Sequence, residues 1–323
     1  MPTTKFPYGV SSYGAPVVPQ TWGHPMGFNG PGSTSAPGSN VFFVNSATSL
    51  AADAAGSNGL SPGKPFKTLN YALTQTVNNN GDVIYVGPQH VETVTASGGL
   101  TFPTGTAQGV TVIMMGNYSY RATVNFTTAT TAKVTIPANN VTWINPMFTN
   151  SIDALATGVQ ITGAGVTLVG VDWVDAVATC TAIQIITTAA ANNLRILGYN
   201  YSLTGTITGT EPTEAIRIVG GHGHIFQDIN IQGKFSTAVF NNITTAFLGA
   251  AFTRCYFNQL DTTPPLVMAV LTTSTGTGSQ VVLVLQKASQ TTYSTFITAS
   301  NIMTFDIASS YVSPGEAPAL IYT

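Results

Sequence analysis

Charge is what this sequence lacks most. Asp, Glu, Lys and Arg make up 7% of its 323 residues, against roughly 25% in an average soluble domain. Thr, Ser, Asn and Gln must cover the surface instead. That exchange suits strands and tight turns, because Thr favours the pleated surface while Asn and Gly favour turns. It does not suit a helical protein. Ten basic and twelve acidic residues are spread along the chain, so there is no electrostatic footprint for nucleic acid or anionic lipid. Long apolar runs are also missing. None approaches the ~18 residues of a membrane span, and the first residues, one Lys among Pro and Gly, contain no apolar core of a secretory leader. Cysteine is scarce as well: Cys180 and Cys255 have no CxxC spacing and are expected to be buried free thiols.

What the chain does have is 44% apolar residues, enough for a large core, and a changing internal pattern. Residues 1–40 are crowded with Pro and Gly and show no period of a strand or helix, so they cannot build a core alone. They nevertheless contain Phe6, Tyr8, Tyr13, Trp22 and Phe28. Such a segment is expected to be an extended arm that binds a partner surface through its aromatic rings.

From residue 41 a different pattern begins. Phe66, Leu69, Tyr71, Ala72, Leu73 and Val77 recur at helical spacing after Pro65, which predicts one amphipathic helix of roughly ten residues. Asn78 to Gly81 should end it, and Asp82 to Val86 should form a buried strand.

Beyond residue 100 the sequence repeats. An eight-residue unit, apolar at positions 1, 3, 6 and 8, appears as VTWINPMF from Val141, VTLVGVDW from Val166, LRILGYNY from Leu194, HIFQDINI from His224 and AAFTRCYF from Ala250. The starts are 25, 28, 30 and 26 residues apart. A second element precedes these units: TGVQI from Thr157, TAIQI from Thr181, EAIRI from Glu214 and TAVF from Thr237. Periods of about 20–50 residues signal solenoids, in which each unit buries its apolar face against its neighbours. Two or three short strands per period without helices select an all-β, right-handed parallel β-helix. The expected organisation is an arm over 1–40 and one β-helix domain over 41–323. Within that domain, 41–93 should form the capping helix and first coil, 94–260 the regular coils and 261–323 looser coils. Strand alternation puts Met147, Asp172, Asn200, Asn230 and Tyr256 in an outward column, and Val171, Tyr199, Ile229 and Cys255 in an inward one.

The segments SPGKPFKTLNYAL and NNNGDVIYVGPQHVETV resemble the N-terminal cap and first coil of pectate-lyase-like β-helix proteins, especially the form found in bacteriophage virion proteins. There a strand like GDVIYV leads into a PGH-x-ET-like turn. Gln89 stands here where that pattern has Gly. The resemblance implies a virion protein, usually trimeric, of the head decoration or cement type or of the tailspike type.

Polygalacturonases share this fold and have a GHG motif with a functional His, matched in part by GGHGH at Gly220 to His224. Their clustered aspartates and following basic motif are not matched, so His222 is expected to sit in a turn of permissive glycines and His224 to be packed. Asp172 and Asp175, on a strand and the turn after it, form a close carboxylate pair, and Asp228 lies two units from Asp172 at position 5. Stacked rungs would put Asp172 and Asp228 near 10 Å apart, the reach of an inverting glycosidase, although solvated turn residues are the plainer reading. The acids form no cluster for a hard cation, and His24, His90, His222 and His224 have no zinc spacing. No nucleotide or hydrolase fingerprint is present. The expectation is a non-enzymatic structural protein without metal or cofactor. It would be a homotrimeric decoration protein on the surface of a phage particle, held to the major capsid protein or another virion protein by its arm. The alternative is a tailspike or fibre subunit that binds or cleaves host polysaccharide through His222, Asp172 and Asp228.

Overall fold

The structure, a computed structural model, describes residues 39–54, 58–242, 247–248 and 250–260, together with the strands Val267–Leu271, Gln280–Lys287, Ile297–Ala299 and Thr304–Ile307. The expected arm contacts Phe6, Tyr8, Tyr13, Trp22 and Phe28 lie outside the described residues.

The chain winds as a parallel β-helix. Two long sheets face one another across a narrow core, one of 13 strands and one of eight. Each strand pairs in parallel with its counterpart one coil before and one coil after. Thr167 and Leu168 lie beside Arg195 and Ile196 as the repeat predicts, and Arg195 and Ile196 in turn lie beside Ile225 and Phe226. The second element of the repeat builds the opposite sheet, where Val159–Ile161, Ile183–Thr187, Glu214–Ile218 and Ala238–Asn242 stack in that order. The larger sheet runs without a break from Val41–Val44 to Thr304–Ile307.

Position 5 of the eight-residue unit makes the corner of each coil. Asn145, Gly170, Gly198, Asp228 and Arg254 all have left-handed backbones, with φ between 51° and 86°. A single left-handed residue bends the strand without ending it, so positions 1–4 and 6–8 lie on two walls of the coil. Asn, Asp and Gly tolerate this region best. In the first coil the same job falls to Gln89, at φ 62°, whose N–H donates to Tyr120 O at 2.9 Å. The turn therefore keeps the left-handed form that Gly would adopt, at a cost of about 1 kcal/mol.

The inward column holds as expected: Val171, Tyr199, Ile229 and Cys255 are buried. Large rings fill the interior in a stack, with Trp143 5.0 Å from Phe102 and 5.3 Å from Phe148, and Phe148 5.0 Å from Trp173. Gly158 makes room for this stack, since a Cβ there would lie 1.9 Å from the Trp173 ring.

The helix is shorter than predicted, Leu69–Gln75, and buries Leu69, Ala72 and Leu73 over the end of the core. Phe66 lies before it, bridged to Val44, and Val77 lies beyond it and is 55% exposed. Two hydrogen bonds stop the helix early. Thr76, in extended conformation, caps Leu73 O through its hydroxyl at 2.9 Å. The Asp82 carboxylate takes the Val77 N–H at 2.7 Å, which pulls the chain off the helical path.

Candidate functional site

Beyond the corner, the outward column stacks in register: Met147 beside Asp172, Asp172 beside Asn200, Asn200 beside Asn230, and Asn230 beside Tyr256. The Asn230 amide donates to Asn200 Oδ1 at 3.2 Å, extending the ladder through side chains. Where this column meets the corner column, Asp172 and Asp228 line one open cleft of about 300 Å³ with Arg121, Asn145, Asn200 and Asn230. The structure thus brings the two predicted carboxylates to one site.

Arg121 was not legible in the sequence as part of it. It arrives from the turn after Met115, closed by Ala122 N–H donating to Met115 O at 2.9 Å. Its guanidinium is buried and donates to Asn145 O at 3.1 Å through Nε, and to Pro146 O and Gly170 O at 3.1 and 2.7 Å through Nη2. Nη1 pairs with the Asp172 carboxylate. A planar fork of five donors suits this work, because a corner exposes carbonyls that no strand partner reaches. Its separation from Asp172, 51 residues along the chain, helps to hide the role.

Asp228 is engaged differently. Arg254, one coil further on, grips it with Nε at 2.5 Å and Nη2 at 2.7 Å, and both side chains are exposed. Hydrogen bonds from Arg254 and Gln227 hold the Asp228 carboxyl below the usual carboxylate range. It is therefore an anion at neutral pH. Glycosidic hydrolysis needs one carboxyl that keeps its proton to protonate the leaving group. Asp175 is the neighbour with a carboxyl raised by burial, but it faces the interior, bound by Thr181 Oγ1 at 2.9 Å and Thr181 N–H at 3.3 Å.

His222 does not join this cleft. It stands exposed in a turn where Gly220, Gly221 and Gly223 all take positive φ, on a short strand, Gly221–His222, that pairs with Phe247–Leu248. His224 points into the core, accepts the Leu194 N–H on Nδ1 at 3.3 Å and lies 3.2 Å from Gly220 O through Nε2. Burial pushes its pKa down to about 4. It is a packed neutral histidine.

Four other acids among the described residues serve the fold. Asp82 gathers N–H groups of Asn40 and Val77 and the amides of Asn40 and Asn80 at 2.6–3.2 Å. Glu214 is fully buried between Arg217, at 2.5 and 2.9 Å, and the Asn241 amide, at 2.7 Å. Asp53 accepts from the Lys67 and Thr68 N–H groups at 2.8 and 3.0 Å, and Asp153 from the Thr210 N–H at 2.8 Å. Burial raises the thiols of Cys180 and Cys255 to about 11 and about 12, which leaves both protonated and unreactive at neutral pH. Both are free. Among the described residues no group of three or more His, Cys, Asp or Glu side chains could hold a metal ion, and no helix is long and apolar enough to cross a membrane.

Chemically, the cleft offers fixed amides and ion-paired carboxylates at an open surface. It can hydrogen-bond a ligand rich in hydroxyls. Comparison with family models, curated proteins and solved structures finds no match.

Proposed function

We propose that this chain is a virion structural protein, a trimeric decoration or cement protein on a bacteriophage head, attached through its N-terminal arm. The observation that carries this reading is the employment of the acids. The carboxylates of Asp53, Asp82, Glu92, Asp153 and Glu214 pin loops and coil ends, while Asp172 and Asp228 are tied to arginines. Such a chain spends its few charges on holding a rigid rod. The cap-and-first-coil resemblance supplies the phage context, and the aromatic arm supplies a means of attachment that should survive high salt, since Lys5 is its one formal charge.

The second reading is a tailspike or fibre subunit that binds host polysaccharide, and the Asp172/Asn200/Asn230 cleft favours it. Electron microscopy of purified particles labelled with antibody to this chain separates the two. Label over the shell is expected; label confined to the tail would replace the first reading by the second. Release of reducing ends from host capsule or lipopolysaccharide, lost in Asp172→Asn or His222→Ala, would likewise overturn the structural role.

A further inference from the structure

Asn is followed directly by Gly at Asn29, Asn58 and Asn80, and the first of these steps lies outside the described residues. Such a step carries latent chemistry. The backbone nitrogen after the Asn can attack the side-chain amide carbon, and Gly, without a Cβ, leaves that nitrogen open and its dihedrals free. Folding decides which step can react, and the two described steps differ.

At Asn58 the attacking nitrogen is engaged, because Gly59 N–H donates to Lys64 O at 2.7 Å, while Gly59 O accepts the Phe43 N–H at 2.8 Å. Gly59 is also buried against the Phe66 ring, which a Cβ would meet at 2.1 Å. Gly81 is the opposite case. It lies half-buried in the turn before the strand Val83–Val86, and its N–H has no hydrogen-bond partner among the described residues. Beyond its two chain neighbours, no heavy atom lies within 4 Å of where a Cβ would stand. The Asn80 amide donates to Asp82 Oδ1 at 2.8 Å, a weak restraint, since a single hydrogen bond exchanges readily for bonds to solvent.

We propose that Asn80 is a deamidation site, a slow covalent switch at the seam where the chain enters the β-helix. Gly81 N bonds to Asn80 Cγ while the Cγ–Nδ2 bond breaks, and Nδ2 leaves as ammonia with the proton of the Gly81 amide. Water then opens the cyclic imide at either carbonyl and restores the Gly81 N–H. The product is aspartate or, where the chain now runs through Cγ, isoaspartate. The consequence follows from Asp82, which is 1% exposed and also holds the N–H groups of Asn40 and Val77 at 2.6 and 2.7 Å. Either product replaces a donor by a carboxylate facing a buried carboxylate, and like charges that close repel. Isoaspartate also lengthens the turn by one backbone carbon. The ties of Asn40 and Val77 to Asp82 therefore loosen, whatever the protein serves.

The test is storage of the purified full chain in mildly alkaline buffer, with aliquots mapped by mass spectrometry for conversion of each Asn to an acid and by enzymatic methylation for isoaspartate. In the folded protein Asn80 is expected to convert several-fold faster than Asn58, and in urea the gap should close. Equal rates in the folded protein, faster loss at Asn58, a gap that persists in urea, or an Asn80 amide that survives storage would each overturn the proposal. A variant tests the consequence without waiting for the chemistry. Asn80→Asp should speed hydrogen exchange at the Asn40 and Val77 N–H groups several-fold while leaving the strand Thr167–Val174 protected as in the parent. Unchanged exchange at both groups would show that position 80 switches nothing.

Discussion

Glu92 holds the capping helix to the first coil with the help of His90, whose Nε2 lies 3.0 Å from Glu92 Oε2. The same carboxylate accepts the Leu69 N–H at 2.6 Å and the Asn70 N–H at 3.3 Å, donors that the first helical turn leaves without intrahelical partners. His90 Nδ1 accepts the Ser46 N–H at 2.9 Å, which assigns the proton to Nε2 and aims it at the carboxylate. The His-x-Glu part of the turn motif is thus a clamp among three segments. Glu92→Ala is expected to cost about 3 kcal/mol, since it leaves buried donors and the histidine unsatisfied. Glu92→Gln should cost less, and His90→Ala should approach Glu92→Ala. Urea denaturation of the three variants checks the order; equal stability of Glu92→Ala and the parent would refute the clamp.

The face assignment is tested by two neighbours on one strand. Leu168 is fully buried, and Leu168→Asp should destabilise by at least ~4 kcal/mol, because an unpaired charge enters an apolar stack. Thr167 points outward and sits beside Arg195 of the next coil. Thr167→Asp should stay within about 1 kcal/mol of the parent. If thermal melting shows the two variants to be equally damaged, the inside and outside of the coil are wrongly assigned.

The solenoid was legible because its core is periodic: one apolar pattern recurring from Val141 to Ala250 sets strand order, register and facing at once. Corner geometry was half legible, since position 5 is Asn, Gly, Gly and Asp in four units but Arg254 in the fifth, a residue with no turn preference. The helix end was missed because Val77 fits the apolar spacing, while the Asp82 side chain that takes its N–H lies in the next strand's approach. At the cleft, Asp172 and Asp228 could be placed by counting rungs. Arg121 could not, because its partners are carbonyls brought together only by the closed corner, and carbonyls leave no mark on residue identity.

Stability should depend on pH through His224. Its folded pKa of about 4 lies below the ordinary value near 6.5, so the unfolded chain binds the proton more readily. The contribution is fully present above about pH 6.5, is lost as pH falls toward 4, and changes little below that. The loss is about 3 kcal/mol, from 1.4 kcal/mol per unit of difference. Asp175, raised by burial, works in the opposite sense, losing stability as pH rises through its range. The difference between parent and His224→Gln is therefore the clean measure. Denaturation midpoints at pH 4, 5, 6 and 7 should show the parent gaining on the variant as pH rises, and a constant difference would show that His224 is protonated alike in both states.

Arg121 decides whether the cleft is a built corner or a surface with a detachable ligand contact. Its guanidinium satisfies three backbone carbonyls from two successive corners and pairs with Asp172. Arg121→Ala removes those donors together, leaving partly buried carbonyls and a carboxylate that has lost its cation, a loss of about 3 kcal/mol. Arg121→Lys should recover little, because a single ammonium cannot span the three carbonyls. Asp172→Asn keeps a polar group facing the arginine and removes only the charge at a side chain already 36% exposed, so its cost should stay near or below 1 kcal/mol. The order expected from chemical denaturation is Arg121→Ala and Arg121→Lys both well below Asp172→Asn. A ligand-gripping arginine would give the reverse pattern: Arg121→Ala would melt like the parent while weakening the retention of host polysaccharide on the protein.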